Sequence, residues 1–188
     1  MDTMKQTNEE WKVLESEYLI QRPWLTARRD KVELPDGRVI PEYYVLEYPD
    51  WVNVIAITKE GDFVMERQYR HAARRISYEL PCGVMEKGEN PLQAAQRELL
   101  EETGFGGGQW QKLMELSANP STMTNTTHCF LAIGVEKVAD PHLDATEELT
   151  VLFLRPGEVK QMLEQGQLCQ ALMIAPLYKY FYSSLKEQ

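Results

Sequence analysis

The sequence predicts an α/β fold in which a mixed β-sheet is covered by helices. Apolar, β-branched stretches bounded by turn residues fill much of the first half of the chain, and a well-delimited helix follows them. After that helix, strand and helix patterns alternate. Strands interleaved with helices are typical of a sheet that buries its faces against helices. The length of 188 residues allows one compact domain with a small appendage.

The chain begins with a β-rich segment that runs from Trp11 to about Tyr48. Within it, Pro35-Asp36-Gly37 separates two strand-like stretches, and the tripeptide predicts a turn because proline sets φ and glycine accepts a positive φ. Three further strands are predicted over residues 51–58, 63–69 and 77–80.

The clearest helix is predicted over Asn90–Thr103. Asn90 suits the N-cap, Pro91 suits the first helical position, and Gln93 stands where a capping-box partner would. Gly104 suits the left-handed position that ends a helix. A core-facing stripe is expected from the spacing of Leu92, Ala95 and Leu99.

The second half of the chain mixes shorter elements. Strands are predicted over 111–117, 128–135 and 150–154. A short helix is expected to start near Pro156 and to end before Gly166. A last helix is expected over roughly 169–186, with Pro176 as a kink or restart.

Composition excludes several classes of function. The chain has 20 basic and 29 acidic residues, a net charge of −9, which disfavours binding to nucleic acid and to anionic membranes. No apolar run approaches the ~18 residues of a membrane-spanning helix, and the polar, acidic start does not resemble a signal peptide. The three scattered cysteines predict neither a disulfide framework nor a zinc site. We therefore expect a cytoplasmic protein.

Three carboxylates share one patch of the predicted helix, because Glu98, Glu101 and Glu102 are spaced i, i+3 and i+4. They lie in its last turn, where the helix dipole favours cations. A solvated acidic face, balanced in part by Arg97, is the simplest interpretation. The loop before the helix adds Glu89, however, and a cluster of hard oxygen ligands is what Mg²⁺ or Mn²⁺ requires.

This segment resembles a complete Nudix box, whose pattern is G-x5-E-x7-R-E-U-x-E-E-x-G-U with U a bulky apolar residue. All seven fixed positions match, and Leu99 and Phe105 fill both U positions. The resemblance implies a Nudix-type α/β/α sandwich with a mixed sheet and a loop–helix–loop catalytic motif, plus a small N-terminal β extension. The matching fixed residues are Gly83, Glu89, Arg97, Glu98, Glu101, Glu102 and Gly104.

The resemblance also implies roles for these residues. Glu98 and Glu102 would bind a divalent cation directly, and Glu101 would be a ligand or a partner of one. Glu89 would orient a ligand or bind the cation through water, Arg97 would pair with nearby carboxylates, and Gly83 and Gly104 would be structural. Mg²⁺ is the expected ion, with Mn²⁺ as the alternative. The backbone carbonyl of Cys82 would also contact metal, although the family often has alanine at that position.

Further segments are similar to the ADP-ribose pyrophosphatase branch of the family. They are residues 34–37, 66–70 and 78–83, together with Pro120, sixteen positions after Gly104. The resemblance implies hydrolysis of ADP-ribose or a related nucleoside diphosphate sugar to a nucleoside monophosphate and a sugar phosphate. It further implies an N-terminal β segment, residues 1–48, for dimerisation and base binding, and a catalytic domain, residues 49–188.

The catalytic base of this branch is often taken from an acidic loop after the box. Here the loop spans residues 140–148, and Glu147 is the first choice for the base, with Glu148 second. The alternative is an ordinary solvated loop.

Substrate contacts are expected from arginine and aromatic residues. By resemblance Arg70 would contact a substrate phosphate. Arg67 is the alternative, because the arginine fork matches phosphate geometry in either case, or Arg67 would simply pair with Glu66 or Glu79. Trp24, Tyr43 or Trp51 would stack on the base, although each is equally well explained by packing within the sheet. The resemblance also implies a homodimer.

Two alternatives remain open at this stage. The same chemistry on GDP-mannose or another nucleotide derivative would change only the substrate. A Nudix-fold sensor that binds without cleaving is a different class, which the complete box disfavours.

Overall fold

The structure is a computed structural model that describes residues 9–143 and 148–184. Its chain divides into two compact units. Met1–Tyr48 and Asn119–Asn125 form the N-terminal unit, and Pro49–Ala118 and Thr126–Gln188 form the larger unit.

The N-terminal unit is a three-stranded antiparallel sheet in the order β1-β2-β3. The turn between the second and third strands forms where proline and glycine predict it: Gly37 has φ 84° and its N–H donates to the Leu34 carbonyl at 2.9 Å. Segment 119–125 joins this unit through the Leu46 backbone, whose N–H donates to the Thr122 carbonyl at 2.7 Å. The strands are β1 Lys12–Arg22, β2 Leu25–Glu33 and β3 Val39–Glu47.

The larger unit is built on a seven-stranded mixed sheet. Its main path runs β10-β5-β4-β9-β8, with β6 on β5 and β7 on β4, and β4 and β9 are parallel while the other pairs are antiparallel. The predicted mixed sheet is therefore confirmed. Its strands are β4 Trp51–Thr58, β5 Phe63–Arg70, β6 Arg75–Glu79, β7 Cys82–Val84, β8 Phe105–Leu116, β9 Thr127–Lys137 and β10 Leu149–Leu154.

Helices cover both faces of this sheet, as the predicted α/β/α class requires. The helices are α1 Pro91–Thr103, α2 Pro156–Glu164 and α3 Ala171–Ser184. One core cluster joins α1 to alternate residues of β4 and β5, and the second joins α2 and α3 to the residues between them. Among residues 9–143 and 148–184, no helix has the length and apolar character needed to cross a membrane.

The ends of α1 are formed as predicted. The Gln93 backbone N–H donates to the Asn90 side chain at 3.0 Å, the reciprocal bond completes a capping box, and Gly104 adopts φ 73°. The predicted core stripe is correct for Ala95 and Leu99, which are fully buried, but wrong for Leu92, which is 38% exposed. Ala94 is buried in its place, because the sheet covers a face rotated by part of a turn.

Strand β8 begins six residues earlier than predicted, at Phe105 instead of Gln111. The additional residues include Gly106-Gly107-Gly108, which disfavour a strand on local propensity. Pairing with β9 along this stretch nevertheless extends the strand. At Gly108 (φ +74°) a side chain would strike β9, since a Cβ would lie 2.7 Å from the Ile133 carbonyl oxygen.

Candidate active site

Arg97 ties the loop before α1 to the helix itself. Its Nε and Nη2 donate to the two carboxylate oxygens of Glu89, each at 3.0 Å, and Nη2 also donates to the Val84 carbonyl at 3.0 Å. Its Nη1 is shared between Glu98 at 2.8 Å and Glu101 at 3.0 Å. Hydrogen bonding from Arg97 lowers the pKa of Glu89. Arg97 therefore holds three acids of the motif in one place.

Gly83 makes room for the Glu98 carboxyl group. A Cβ at position 83 would lie 2.1 Å from the Glu98 Cδ and 2.3 Å from each of its oxygens, closer than real contacts allow. Only a residue without a side chain lets the carboxylate lie against the β7 backbone. The glycine is thus required by a close approach at the site.

Glu102 is the buried acid of α1, only 4% exposed. Its Oε2 accepts a hydrogen bond from the Cys82 backbone N–H at 2.9 Å, which ties the end of the helix to β7. Burial, and next the negative charge of Glu66, raise the pKa of Glu102 well above its usual range. Desolvation by burial and the charge of Glu102 likewise raise the pKa of the Cys82 thiol.

These residues fit a divalent cation in their chemistry. The donors are carboxylate oxygens, which Mg²⁺ and Mn²⁺ prefer, and a glycine leaves space beside one of them. Burial and the charge of Glu66 raise the pKa of Glu102, so its ionised form is disfavoured here and a bound cation would favour it. Within the described part of the chain, no three acidic, cysteine or histidine side chains already converge on one metal position. Arg97 instead engages Glu98 and Glu101.

The raised pKa of Glu102 predicts how the stability of the metal-free protein depends on pH. An unfolded chain releases this proton near the ordinary carboxyl pKa of 4.5, whereas the folded protein retains it to higher pH. Between those two values the unfolded state binds fewer protons, so the free energy of unfolding falls as pH rises.

Thermal unfolding in EDTA between pH 5 and pH 8 tests this expectation. Glu102→Gln should weaken the decline, because amide and protonated acid are both neutral. An identical decline in the variant and the wild type would contradict the assignment.

Strand alternation separates the two candidate phosphate-binding arginines. On β5, Val64 packs toward α1, so Arg70 lies on that face by the period of two, while Arg67 lies on the opposite face. Arg70 donates to both carboxylate oxygens of Glu79, at 2.9 and 2.6 Å, and this hydrogen bonding raises the pKa of Arg70, with a smaller contribution from Glu102. The structure thus brings Arg70, and not Arg67, to the acidic end of the site.

The three candidate base-stacking residues lie in different surroundings. Trp24 is in the turn between β1 and β2 and is 84% exposed. Tyr43, on β3, packs edge-on against Trp11, and its hydroxyl donates to the Ser121 carbonyl at 2.5 Å. Trp51 begins β4 in the larger unit and is half-buried. Trp24 alone has a ring face largely open to a ligand.

The acidic loop is described only in part. Glu147 lies outside the described residues, and Glu148 is exposed directly before β10. The chain that leads into the loop is anchored at the end of α1, because the His142 N–H donates to the Glu101 carbonyl at 2.7 Å and the Val138 N–H donates to the Gly104 carbonyl at 2.9 Å. This end of the loop therefore starts beside the acidic helix.

One buried acid beside the site is not singled out by sequence reasoning. Glu66 is 0% exposed on β5, and its carboxyl group interacts with that of Glu102. The available signal is an acid that directly follows the apolar run Phe63-Val64-Met65, at a position where alternation places it on the α1 face.

A mixed sheet between helices, with an acidic loop–helix motif clamped by an arginine, defines the Nudix class of hydrolase. Comparison with known families agrees: the NUDIX domain model matches residues 48–174. The model of a nucleoside diphosphate sugar hydrolase N-terminal domain matches residues 11–46. The chain belongs to the Nudix family, whose hydrolases generally use divalent metal ions.

Relatives with assigned activities match most of the chain. A methanol dehydrogenase activator from Bacillus methanolicus is 31% identical over 95% of this chain and 97% of its own. ADP-ribose pyrophosphatase from Mycobacterium tuberculosis is 30% identical over 88% and 81%, respectively. ADP-ribose pyrophosphatase from Bacillus subtilis is 31% identical over 84% of each chain.

A solved structure shows the same fold. The crystal structure of an ADP compounds hydrolase superposes with a TM-score of 0.84, covers 97% of this chain and 98% of its own, and is 20% identical in sequence. At that identity the match establishes the fold, and the Nudix sandwich with its N-terminal β extension is confirmed.

Proposed function

We propose that this protein hydrolyses the diphosphate of ADP-ribose or a related nucleoside diphosphate sugar. Water adds to one phosphorus, the bridging P–O bond breaks, and the products are a nucleoside monophosphate and a sugar phosphate. The carrying observation is the complete acidic motif, with Glu98 against Gly83 and Glu102 buried at β7. The two ADP-ribose pyrophosphatases among the relatives support the choice of substrate.

The chain supplies positioning and charge, which dominate phosphoryl transfer. Glu98 and Glu102 would hold Mg²⁺, with Mn²⁺ as the alternative, and Glu101 and the Cys82 carbonyl would complete or support the set. A bound divalent cation supplies neutralisation of the diphosphate charge and polarisation of its P–O bonds. Arg97, which is hydrogen-bonded to Glu89, would hold the acidic side chains in position during the reaction.

The attacking water needs a base, and the acidic loop is the proposed source. Glu147 is the first choice and Glu148 the second, supported by the anchoring of residues 138–142 at the end of α1. Replacing each by glutamine in turn assigns the role: the true base should lose kcat with little change in KM. If both variants kept the kcat of the wild type, the loop would not supply the base.

A substrate panel tests the proposal directly. The purified protein is incubated with Mg²⁺ and ADP-ribose, GDP-mannose, UDP-glucose or ADP-glucose, and the products are identified by chromatography and mass spectrometry. AMP and ribose 5-phosphate from ADP-ribose are the expected result. Cleavage of GDP-mannose alone would change the assigned substrate and leave the reaction the same. If no nucleoside diphosphate sugar gave a product, the proposal would be refuted.

Arg70→Lys is expected to raise KM for the preferred substrate by about tenfold, equivalent to about 1.4 kcal/mol. Lysine lacks the planar fork that fits both Glu79 and a phosphate. Arg67→Lys is the matched control, because Arg67 lies on the opposite face of β5, and its KM should stay within twofold of the wild type. Steady-state kinetics measure both KM values. A larger rise in KM for Arg67→Lys than for Arg70→Lys would contradict the assignment of Arg70 to the substrate phosphate.

A homodimer is the proposed assembly, formed through the N-terminal unit. Every residue of β1 is exposed although it carries Val13, Leu14, Leu19 and Ile20, and β1 is an edge strand of its sheet. Apolar edge strands invite pairing with another chain. Light scattering should give twice the chain mass, and a monomer at micromolar concentration would exclude the dimer.

Trp24 is the proposed base-stacking residue, since its ring is the most exposed of the three candidates.

The cytoplasmic location inferred from the sequence stays a prediction.

A further inference from the structure

The sheet places one more carboxyl group at the acidic end of the site. Val64 packs into the core cluster that contains Ala95 and Leu99 of α1. Glu66 follows two positions later on β5, so its side chain lies on the same face, and it is fully buried. Neighbouring strands pair on both sides of it, with Val151 opposite on β10 and Glu79 opposite on β6.

Glu79, at the directly opposed position, shows how a buried acid is balanced here. Arg70 binds both of its carboxylate oxygens, at 2.9 and 2.6 Å. Glu79 therefore belongs to a structural ion pair, and removal of Arg70 would leave the buried Glu79 charge without compensation.

Glu66 lies against the carboxyl group of Glu102, within hydrogen-bonding and coulombic reach. The two acids come from different elements, β5 and α1, and both are almost completely buried. Two carboxylates in such a position would repel each other and have lost their hydration, so both can be ionised only at a large cost in the metal-free protein. The same arrangement is favourable when a divalent cation is present.

We propose that Glu66 is a further residue of the metal site, which adds a carboxylate from the sheet to those that α1 supplies. Glu66 and Glu102 then contribute charge together to the binding of a divalent cation. This inference rests on the proposed function only in the need for that cation, not in the identity of the substrate. Under this proposal Glu66 binds a cation, and it is not only a structural residue of β5.

Glu66→Gln tests the proposal because glutamine keeps the size of the side chain and removes its charge. Mn²⁺ is the probe, with binding to the full chain followed by isothermal titration calorimetry and by the electron paramagnetic resonance of free Mn²⁺. We expect the dissociation constant to rise about tenfold or more. In EDTA the melting temperature should rise by about 2–4 °C, because glutamine removes a fully buried acidic group from beside Glu102.

Two controls separate a specific effect from a general one. Glu115→Gln removes an exposed acid from β8 of the same sheet and should change Mn²⁺ affinity by less than twofold. Glu79→Gln removes the opposed buried acid, and its melting temperature in EDTA should fall because Arg70 loses its partner.

Several results would overturn the proposal. They are Mn²⁺ affinity of Glu66→Gln within twofold of the wild type, a lower melting temperature of that variant in EDTA, or its failure to fold. Mn²⁺ binding that depends on Glu66, in a protein that cleaves no nucleoside diphosphate sugar, would uphold this inference and refute the proposed function. Cleavage of a nucleoside diphosphate sugar, with Mn²⁺ affinity that does not depend on Glu66, would uphold the proposed function and refute this inference.

Discussion

Glu98→Gln and Glu102→Gln are each expected to lower kcat/KM for the preferred nucleoside diphosphate sugar by about 10³-fold, which corresponds to about 4 kcal/mol of transition-state stabilisation. Each change removes a charged oxygen donor and leaves a side chain of nearly the same size. Glu98 lies against the backbone at Gly83, and Glu102 accepts the Cys82 N–H, so both acids have fixed positions. The measurement is steady-state kinetics at saturating Mg²⁺.

Glu164→Gln is the matched control, because Glu164 is also a helical glutamate with a cationic neighbour, Lys160, but lies exposed on α2. Its kcat/KM should equal that of the wild type. Circular dichroism should show both site variants folded, and Glu102→Gln in particular should unfold no more easily than the wild type in EDTA. If either site variant kept more than a tenth of the wild-type activity, its residue would not hold the cation.

Gly83→Ala is expected to lower kcat by about 10²-fold or more while the protein stays folded, since a displacement of about 1 Å at a reacting site has that effect. The new Cβ would lie 2.1 Å from the Glu98 Cδ, so the carboxylate must move away from the β7 backbone. Mn²⁺ affinity should weaken in parallel, because Glu98 would no longer be positioned beside the loop.

Gly157→Ala controls for the general effect of adding a methyl group. Nothing lies within 4 Å of a Cβ built at Gly157, which also lacks a positive φ. Its kcat and its Mn²⁺ affinity should equal those of the wild type. If Gly83→Ala retained full activity, the close approach to Glu98 would not matter for catalysis.

The acidic character of the chain is consistent with a diphosphate substrate. Part of the net charge of −9 is concentrated at one end of α1. Arg97 balances the loop side of this cluster, and Arg70 balances Glu79 on the sheet side. The proposed cation would neutralise the remaining charge and meet the phosphates, so the protein needs no large basic surface.

Features that depend on neighbours along the chain can be predicted from the amino-acid sequence. The caps of α1 follow from Asn90, Gln93 and Gly104, and the turn at 35–37 follows from proline and glycine. The spacing of the acids in the motif gives the family, because a helix fixes which residues three and four apart share a face. Strand β4 has the predicted bounds because apolar and β-branched residues fill it apart from Asn53, and turn residues follow it.

Features that depend on contacts between distant segments become visible only in the folded chain. Burial of Ala94 in place of Leu92 depends on where the sheet meets α1, and the start of β8 at Phe105 depends on pairing with β9. The position of Arg70, and not Arg67, at the acidic end of the site depends on which face of β5 points toward the helix, and so does the approach of Glu66 to Glu102. Local propensity contains no term for these pairings, because each is fixed by the burial of a shared core between elements far apart in sequence.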